Sequence, residues 1–458
     1  MPTRQSIVRS LRSARAQRGK ALRQQIPRSA HAKWRVQAKG RDPVAILGET
    51  DRDRISALLP IRYTRMLQSP FAYLRGSASV MAFDLAQGPA TGVRVQACGD
   101  CHLLNFGAFA TPERHVIFDI NDFDETLPAP WEWDIKRLAA SIMVAGRYRG
   151  FAERQCSEAV LIAVRAYREN LAEYATWPEL QVWYARIDAE QMVAKASKAK
   201  ASRPGADGDA RAAANMSARL LPKLTEVIGG RRRIKDEPPL VYHPRRERAF
   251  SRQVRAAIQQ YRRSLPAERR ALIDHYEMID VAMKVVGVGS VGTFCAVALL
   301  QADVDDPLFL QLKQARSSVL EPYAGKTVYR NQGERVVVGQ RLMQSASDMF
   351  LGWSRIGKPP TDFYFRQLRD MKVSVNLDTL PLAGFINYAH YCGWAVARAH
   401  AKAGDAAVIS GYLGRNGAFD DALRRFARAY ADQTEQDHAA LVKAVKSGRI
   451  RLETKDAA

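Results

Sequence analysis

Residues 95–126, VQACGDCHLLNFGAFATPERHVIFDINDFDET, concentrate side-chain oxygens beside apolar runs. Carboxylates next to half-buried strands are costly unless they meet a cation. Oxygen ligands suit Mg²⁺, and a carboxylate that stays free of the metal can accept a proton from a hydroxyl group. The segment therefore predicts metal-assisted chemistry on a hydroxyl, with these side chains as candidates: Asp100, His102, Asn105, Asp119, Asn121, Asp122 and Asp124.

The same segment allows two other interpretations. Cys98 and Cys101 form a CxxC, which occurs in redox and zinc sites, but the sequence has no second CxxC and no HxxxH to complete a zinc site. A turn rich in capping Asp and Asn residues explains one or two of the polar side chains. It does not explain seven of them within 25 positions.

A second motif, GVGSVG at 287–292, matches GxGxxG. In a dinucleotide-binding fold a helix follows such glycines, whereas the TFCAVALL that follows here is strand-like. The glycines are therefore predicted to lie between two strands. The next strand, DPLFLQLKQA, carries Lys313 after an apolar run, a position where a lone lysine is usually solvated.

Apolar spacing and turn residues predict the elements that position these motifs. Helix 131–141 is expected to support the carboxylates, with Trp131 and Trp133 in the core. Arg75 and Arg137 would hold a phosphate, balance the carboxylates or lie on the surface. The other predicted elements are helices at 51–85 with a break at Ser69 and Pro70, a strand at 93–97, a hairpin at 106–120, helices to about 186, a mobile insertion or polar helix surface at 194–214, a small sheet at 281–313, a helix at 331–353, a strand at 364–370 and helices from 382.

GDCHLLN at 99–105 resembles the GDxHxxN loop of aminoglycoside phosphotransferases, choline kinases and related members of the protein-kinase-like superfamily. The resemblance implies that Asp100 is the catalytic base and that Asn105 binds the metal. Asp119 and Asp122 both match the later metal-binding Asp, the first by hairpin length and the second by its NDFDE context. His102 would order the loop by hydrogen bonding or would simply be packed.

By the same resemblance, a glycine-rich loop between strands covers the phosphates of ATP. It comprises Gly287, Gly289, Ser290 and Gly292, and Lys313 pairs with the α and β phosphates. The carboxylate partner of that lysine comes from the following helix. Residues 364–372 would lead to the hinge, 392–401 would form the helix that precedes the catalytic loop, and the candidate partners of Lys313 are Glu321 and Glu334.

The motif order is unusual, because the glycine loop follows the catalytic loop by about two hundred residues. The resemblance then implies an α+β, two-lobed, protein-kinase-like fold that is circularly permuted, since chain ends often lie close together at a protein surface. The predicted parts are a basic arm at 1–45, a helical large lobe at 46–279, a β-rich nucleotide-binding lobe at 280–375 and a helical return to the large lobe at 376–458.

Most of the chain also resembles an uncharacterised bacterial family, domain of unknown function 2252. The segments that carry this resemblance are SPFAYLRGSA, CGDCHLLNFG, NDFDETLPAPWEWDIKRLA, GVGSVGT and QRLMQSASD.

Composition adds expectations about location and partners. The 458 residues carry a formal charge of +23, and residues 1–41 hold 12 basic and no acidic side chains. Such an arm is a solvated tail, a polyanion-binding element or a presequence-like segment. The uncharged run at 285–302 is interrupted by glycines, so no membrane span is predicted. Five cysteines favour a reducing cytoplasm over a disulfide framework.

The predicted activity is phosphoryl transfer from ATP to a hydroxyl acceptor, a small molecule, with Mg²⁺ or with Mn²⁺ in its place. AMP transfer on the same fold is one alternative. A non-catalytic, kinase-like scaffold with a polyanion-binding arm is another, although such a scaffold would need none of the retained Asp, Asn and Lys side chains.

Overall fold

Residues 4–34, 40–189, 221–368 and 375–452 are described by the computed structural model. They combine helices with antiparallel sheets, as expected for an α+β protein. The insertion predicted at 194–214 lies outside the described residues, and so do the last two positions of the strand predicted at 364–370. Among the described helices, none is long and apolar enough to cross a membrane.

The helices of the described residues include all those predicted from apolar spacing. Ser69 accepts a hydrogen bond from Ala72 N and Pro70 occupies the first turn of α4, which explains the predicted break before that helix. The bounds are α1 Arg4–Gln25, α2 Pro43–Asp51, α3 Leu59–Leu67, α4 Pro70–Gly76, α5 Ala78–Ala86, α6 Trp131–Tyr148, α7 Glu153–Tyr174, α8 Glu179–Tyr184, α9 Glu247–Arg262, α10 Ala267–Ile273, α11 Glu321–Ala324, α12 Gln332–Met343, α13 Leu382–Ala403, α14 Ala406–Leu413 and α15 Ala418–Lys446.

The strands form one large sheet and three two-stranded ladders among the described residues. The large sheet has the order β11-β12-β10-β9-β8-β7, and its neighbouring strands are antiparallel. The bounds are β1 Arg94–Ala97, β2 Phe106–Ala110, β3 Val116–Ile120, β4 Leu127–Pro130, β5 Thr225–Ile228, β6 Arg231–Ile234, β7 Val241–Tyr242, β8 Glu277–Lys284, β9 Cys295–Asp303, β10 Asp306–Gln314, β11 Gly352–Ile356 and β12 Thr361–Gln367.

Alternation along β10 separates the two faces of the large sheet. Leu310 and Leu312 share a core cluster with Val254 of α9, so that helix covers one face. Phe309 belongs to a cluster on the opposite face, and Lys313 lies four positions later, on the same face as Phe309. The alternation therefore directs Lys313 away from α9.

The helical part of the chain has its own core, in which α7 and α13 pack side by side. Their close approach depends on Gly393, where a Cβ atom would come within 2.0 Å of the Ala163 carbonyl oxygen. Helices α6 and α15 complete this core around the completely buried Trp131. Trp133 is 5% exposed, so both tryptophans occupy the core as predicted.

The helix of the basic arm, α1, is not the solvated tail that was one of the expectations, because it packs along α14. At Gly411 a Cβ atom would come within 2.1 Å of the Ala16 carbonyl oxygen. Arg23 donates to the Tyr412 carbonyl at 2.8 Å, and Arg12 donates to the Thr176 carbonyl at 2.8 Å. Basic side chains of the predicted arm therefore satisfy carbonyls at the C-terminal ends of helices.

His31 gives the fold a measurable dependence on pH. Its ring is fully buried and its Nε2 lies 2.8 Å from Tyr412 Oη, and burial followed by the charge of Lys136 lowers its pKa to about 2. The stabilising effect of the neutral ring is complete above the unfolded pKa of about 6.5 and is lost as the pH falls below it. We expect the wild type to lose about 2 kcal/mol more unfolding free energy than His31→Gln between pH 7 and pH 5. Urea denaturation at both pH values measures this, and equal losses would contradict it.

Candidate functional site

The loop after β1 is fixed by main-chain hydrogen bonds to α6. Asp134 accepts from Cys98 N at 2.6 Å and from Gly99 N at 2.9 Å. Gly99 has a φ of +84°, and a Cβ atom there would come within 2.4 Å of the Glu125 carbonyl oxygen. The glycine that precedes Asp100 is thus required both by its backbone conformation and by its surroundings.

Asp100 forms an ion pair with the buried Arg137 of α6, whose Nε donates to Asp100 Oδ1 at 2.5 Å. The other oxygen, Oδ2, lies 3.9 Å from His102 Nε2, which is beyond hydrogen-bond distance. Burial raises the pKa of Asp100, and the charges of Arg137 and Arg75 oppose that rise. Oδ2 is consequently the oxygen that is able to accept a proton.

His102 and Asn105 order the same loop. His102 Nδ1 accepts from Leu104 N at 3.2 Å, and burial followed by the charges of Arg75 and Arg137 lowers its pKa well below its usual range. The imidazole is therefore neutral and acts as a cap, in line with its predicted ordering role. Asn105 Nδ2 donates to the Asp100 carbonyl at 2.6 Å, so its amide oxygen is the atom that is able to bind a cation.

The two carboxylates that compete for the metal-ligand role have different surroundings. Asp119 is 0% exposed, and its oxygens accept from Arg398 Nη2 at 2.8 and 2.9 Å and from Ser345 N at 2.9 Å. Asp122 lines a cleft that also contains Asp100 and Asn105. Burial and the adjacent Asp124 raise the pKa of Asp122. Of the two, Asp122 is the one with access to a ligand.

Lys313 pairs with a residue that the sequence reasoning did not assign to it. Its Nζ lies 2.5 Å from Asp124 Oδ2, and its side chain is only 2% exposed. Tyr364 Oη donates to the other oxygen of Asp124 at 2.5 Å. Burial favours the protonated form of Asp124, but Lys313 and Tyr364 outweigh it and bring the pKa to about 2. Asp124, which is partly exposed to the cleft, and the buried Lys313 therefore form an ion pair.

The predicted partners of Lys313 have other neighbours. Glu321 Oε1 accepts from Gln332 Nε2 at 3.1 Å, and Glu334 lies in the first turn of α12. Neither glutamate lines the cleft that holds Asp100. The sequence signal for Asp124 was its place in NDFDE, two residues after Asp122.

The glycine loop connects β8 to β9, as predicted, and it is held by the segment around α3. Ile55 N donates to the Gly292 carbonyl at 2.7 Å and Arg54 Nη1 donates to the Val291 carbonyl at 2.5 Å. Val288 is 7% exposed and Val291 is completely buried. The loop is thus anchored by apolar side chains as well as by hydrogen bonds.

A cleft of about 310 Å³ is lined by the loop after β1, the segment after β3 and the glycine loop. Ser290 Oγ donates to Asp124 Oδ2 at 3.0 Å, which joins the glycine loop to the segment after β3. Lys313 and Gly292 do not line the cleft. Lys313 contacts it indirectly, by donating to Asp124, which does line it. The predicted residues that line it are Asp100, His102, Asn105, Asp122, Gly287, Gly289 and Ser290.

Four arginines also line the cleft: Arg54, Arg62, Arg75 and Arg316, together called the arginine cluster below. Sequence reasoning singled out only Arg75, because the others lie in segments without a recognisable motif. A second cavity, of about 570 Å³, is lined by Asn121, the residue before Asp122, and by Gln311, which lies on β10 with Lys313.

Cys98 and Cys101 are both completely buried. The hydrogen bond between them and their burial raise the pKa of Cys98, and burial raises that of Cys101 to about 11. Neither thiol is therefore activated as a thiolate. Within the described residues, no group of three or more His, Cys, Asp and Glu ligands includes either cysteine, so the redox and zinc interpretations gain no support.

Comparison with known proteins identifies the family of the chain. The family model described as "Uncharacterized protein conserved in bacteria (DUF2252)" matches residues 54–444. No curated protein and no solved structure matches the chain.

Proposed function

The chain belongs to this family of uncharacterised bacterial proteins, and from its own geometry we propose that it is an ATP- and Mg²⁺-dependent phosphotransferase acting on a hydroxyl acceptor. One observation carries the proposal. A candidate base, Asp100 after β1, and a candidate metal ligand, Asp122 after β3, share a cleft with a glycine loop, next to a buried Lys313. These are the parts that phosphoryl transfer needs.

The element order supports the same assignment. Strand β8, the glycine loop, β9 and β10 follow one another, Lys313 lies on the third of these strands, and α12 comes before β11. In protein kinases the glycine loop is likewise followed by a lysine on the third strand and then by a helix. The catalytic loop precedes these parts in the chain, which supports the proposed circular permutation.

The residues have definite roles in such a transfer. Asp100 Oδ2 accepts the acceptor's hydroxyl proton. The acceptor oxygen then bonds to the γ-phosphorus, the bond from that phosphorus to the β–γ bridging oxygen breaks, and ADP leaves. Arg137 holds Asp100 in place through its other oxygen, so the base is oriented before substrate binds.

The donor set fits a hard divalent cation. Asn105 offers its amide oxygen because its nitrogen binds the Asp100 carbonyl, and Asp122 offers a carboxylate next to that of Asp124. When bound, Mg²⁺ neutralises phosphate charge. Asp124 is already bound by Lys313 and Tyr364, so Asn105 and Asp122 would hold the cation. The 570 Å³ cavity lined by Asn121 and Gln311 is the proposed place of the nucleoside.

A thermal-shift titration tests the proposal. We expect Mg²⁺ with ATP at about 100 times Kd to stabilise the wild type by about 2.7 kcal/mol and to raise its melting temperature. Asp122→Asn should lose the metal-dependent part of this shift, because an amide binds Mg²⁺ more weakly than a carboxylate. Mass analysis of the product then separates an added phosphoryl group from an added AMP.

Glu321→Gln and Glu334→Gln are the matched controls, since each changes a carboxylate that lies off the cleft. Both variants should keep the wild-type shift. The proposal is wrong if wild type shows no shift with ATP or GTP in the presence of Mg²⁺ or Mn²⁺.

A further inference from the structure

The arginine cluster contains two guanidinium groups that are largely buried. The side chains of Arg54 and Arg62 are 8% and 1% exposed. Both lie next to Asp51, which is 3.3 Å from Arg54 Nε and 3.5 Å from Arg62 Nη1. Burial followed by the charges of Arg62 and Arg316 lowers the pKa of Arg54 to about 9, and the charges of Asp51 and Glu125 oppose that fall. The two buried cations thus share the carboxylate of Asp51, and an additional anion would stabilise them further.

Several guanidinium nitrogens in this cluster also lack an acceptor. Arg62 Nε, Arg62 Nη1 and Arg75 Nε are buried without a hydrogen-bond partner among the described residues. Arg62 Nη2 donates to the Gly76 carbonyl at 2.8 Å, so this fully buried side chain lies beside the residue that follows Arg75. Unsatisfied buried donors are destabilising, and the oxygens of a bound oxyanion would satisfy them.

The cluster lies on the side of the cleft where the base is. Leu74, which precedes Arg75, accepts from Arg137 Nη2 at 2.9 Å, and Arg137 is the partner of Asp100. The charge of Arg75 also acts on Asp100, whose pKa it lowers. Lys313 and Ser290 instead meet at Asp124. Arg75 thus lies near Asp100 and against the glycine loop, where a Cβ atom at Gly289 would be 3.3 Å from the Arg75 carbonyl oxygen, whereas Lys313 does not itself line the cleft.

We propose that the acceptor is itself an oxyanion, with a phosphate or carboxylate group that binds Arg62 and Arg75 while its hydroxyl faces Asp100. Planar guanidinium groups bind such groups through two parallel hydrogen bonds. This inference rests on the proposed phosphotransferase function, because it assigns the class of molecule that accepts the phosphoryl group. It separates that molecule's anionic group from the phosphates of ATP.

Inorganic phosphate serves as the probe in a thermal-shift titration against sodium chloride at equal ionic strength. We expect a saturable rise in the melting temperature of wild type and an apparent affinity at least tenfold lower in Arg75→Gln. Arg252→Gln, which changes an exposed arginine of α9 away from the cleft, should match wild type. Arg62→Gln provides a second variant of the buried site. Succinate, tested in parallel, distinguishes a carboxylate ligand from a phosphate ligand by which anion binds more tightly.

A competition experiment separates this inference from the proposed function. With Mg²⁺ and a non-hydrolysable ATP analogue bound, the phosphate-dependent shift should persist, because the proposal assigns Arg62 and Arg75 to the acceptor and not to the nucleotide. Loss of that shift would mean that the arginine cluster binds the nucleotide's own phosphates, and the inference would be overturned. Absence of any saturable phosphate or succinate shift, or a shift unchanged in Arg75→Gln, would overturn it as well. A phosphate shift without any ATP shift would overturn the proposed function and leave an oxyanion-binding site.

Discussion

Replacing Asp100 by Asn is expected to lower ATP turnover by about 10²–10⁴-fold, which is the usual contribution of a positioned base. The amide keeps an oxygen for Arg137, which donates to Asp100 Oδ1 at 2.5 Å, but it no longer accepts the hydroxyl proton. Binding of Mg²⁺ and ATP should persist, because Asn105 and Asp122 are unchanged. The measurement is ADP release with Mg²⁺, with water as the hydroxyl acceptor, alongside the nucleotide-dependent thermal shift.

Asp303→Asn is the matched control, since Asp303 is exposed at the end of β9. It should turn over ATP at the wild-type rate. If Asp100→Asn also retains the wild-type rate while it binds nucleotide, Asp100 is not the base, and another carboxylate of the cleft must be sought.

Replacing Asp119 by Ala is expected to remove about 3–5 kcal/mol of unfolding free energy, because it leaves the fully buried Arg398 without its partner. The same substitution at Asp122 should have a much smaller effect on folding, since that side chain lines the open cleft. Urea denaturation of the two variants, combined with the ATP-dependent shift, compares them directly. The unfolding free energy thus reports on the role of Asp119, and the ATP-dependent thermal shift reports on the role of Asp122.

The double variant Asp119→Leu/Arg398→Met checks the cause of the loss. Replacement of both ions by apolar side chains is often close to neutral, so the double variant should recover much of the stability. An Asp119→Ala protein that folds as stably as wild type but loses its metal-dependent nucleotide binding would instead identify Asp119 as a metal ligand.

Local patterns were sufficient to predict the elements around the site. The hairpin of β2 and β3, the break before α4 at Ser69 and Pro70, and the glycines between β8 and β9 are all read from spacing and turn residues. The structure also places Asp100, Asn105 and Ser290 in one cleft, as the proposed roles require. The helix predicted at 331–353 is shorter, ending at Met343 before β11 begins.

Partnerships between distant residues were the part that sequence could not supply. The contact of Lys313 with Asp124 spans 189 positions, and the choice between Asp119 and Asp122 depends on Arg398, a residue of α13 that no motif connects to the hairpin. The packing of α1 depends on small residues such as Gly411. Each of these contacts depends on long-range packing, which the periodicity of the sequence does not predict.

The ion pair of Asp119 with Arg398 also sets the order in which the protein matures during translation. Its two members are 279 positions apart, so at about 5–20 residues per second the ribosome adds the arginine on the order of 15–55 s after the aspartate. During that interval, Asp119 of the nascent hairpin does not yet have Arg398 as its partner. Contacts of such long sequence separation slow folding and prolong the exposure of apolar surface. The hairpin of β2 and β3 is therefore synthesised early but completed late, and we expect its folding to benefit more from chaperones than that of a protein built from local contacts.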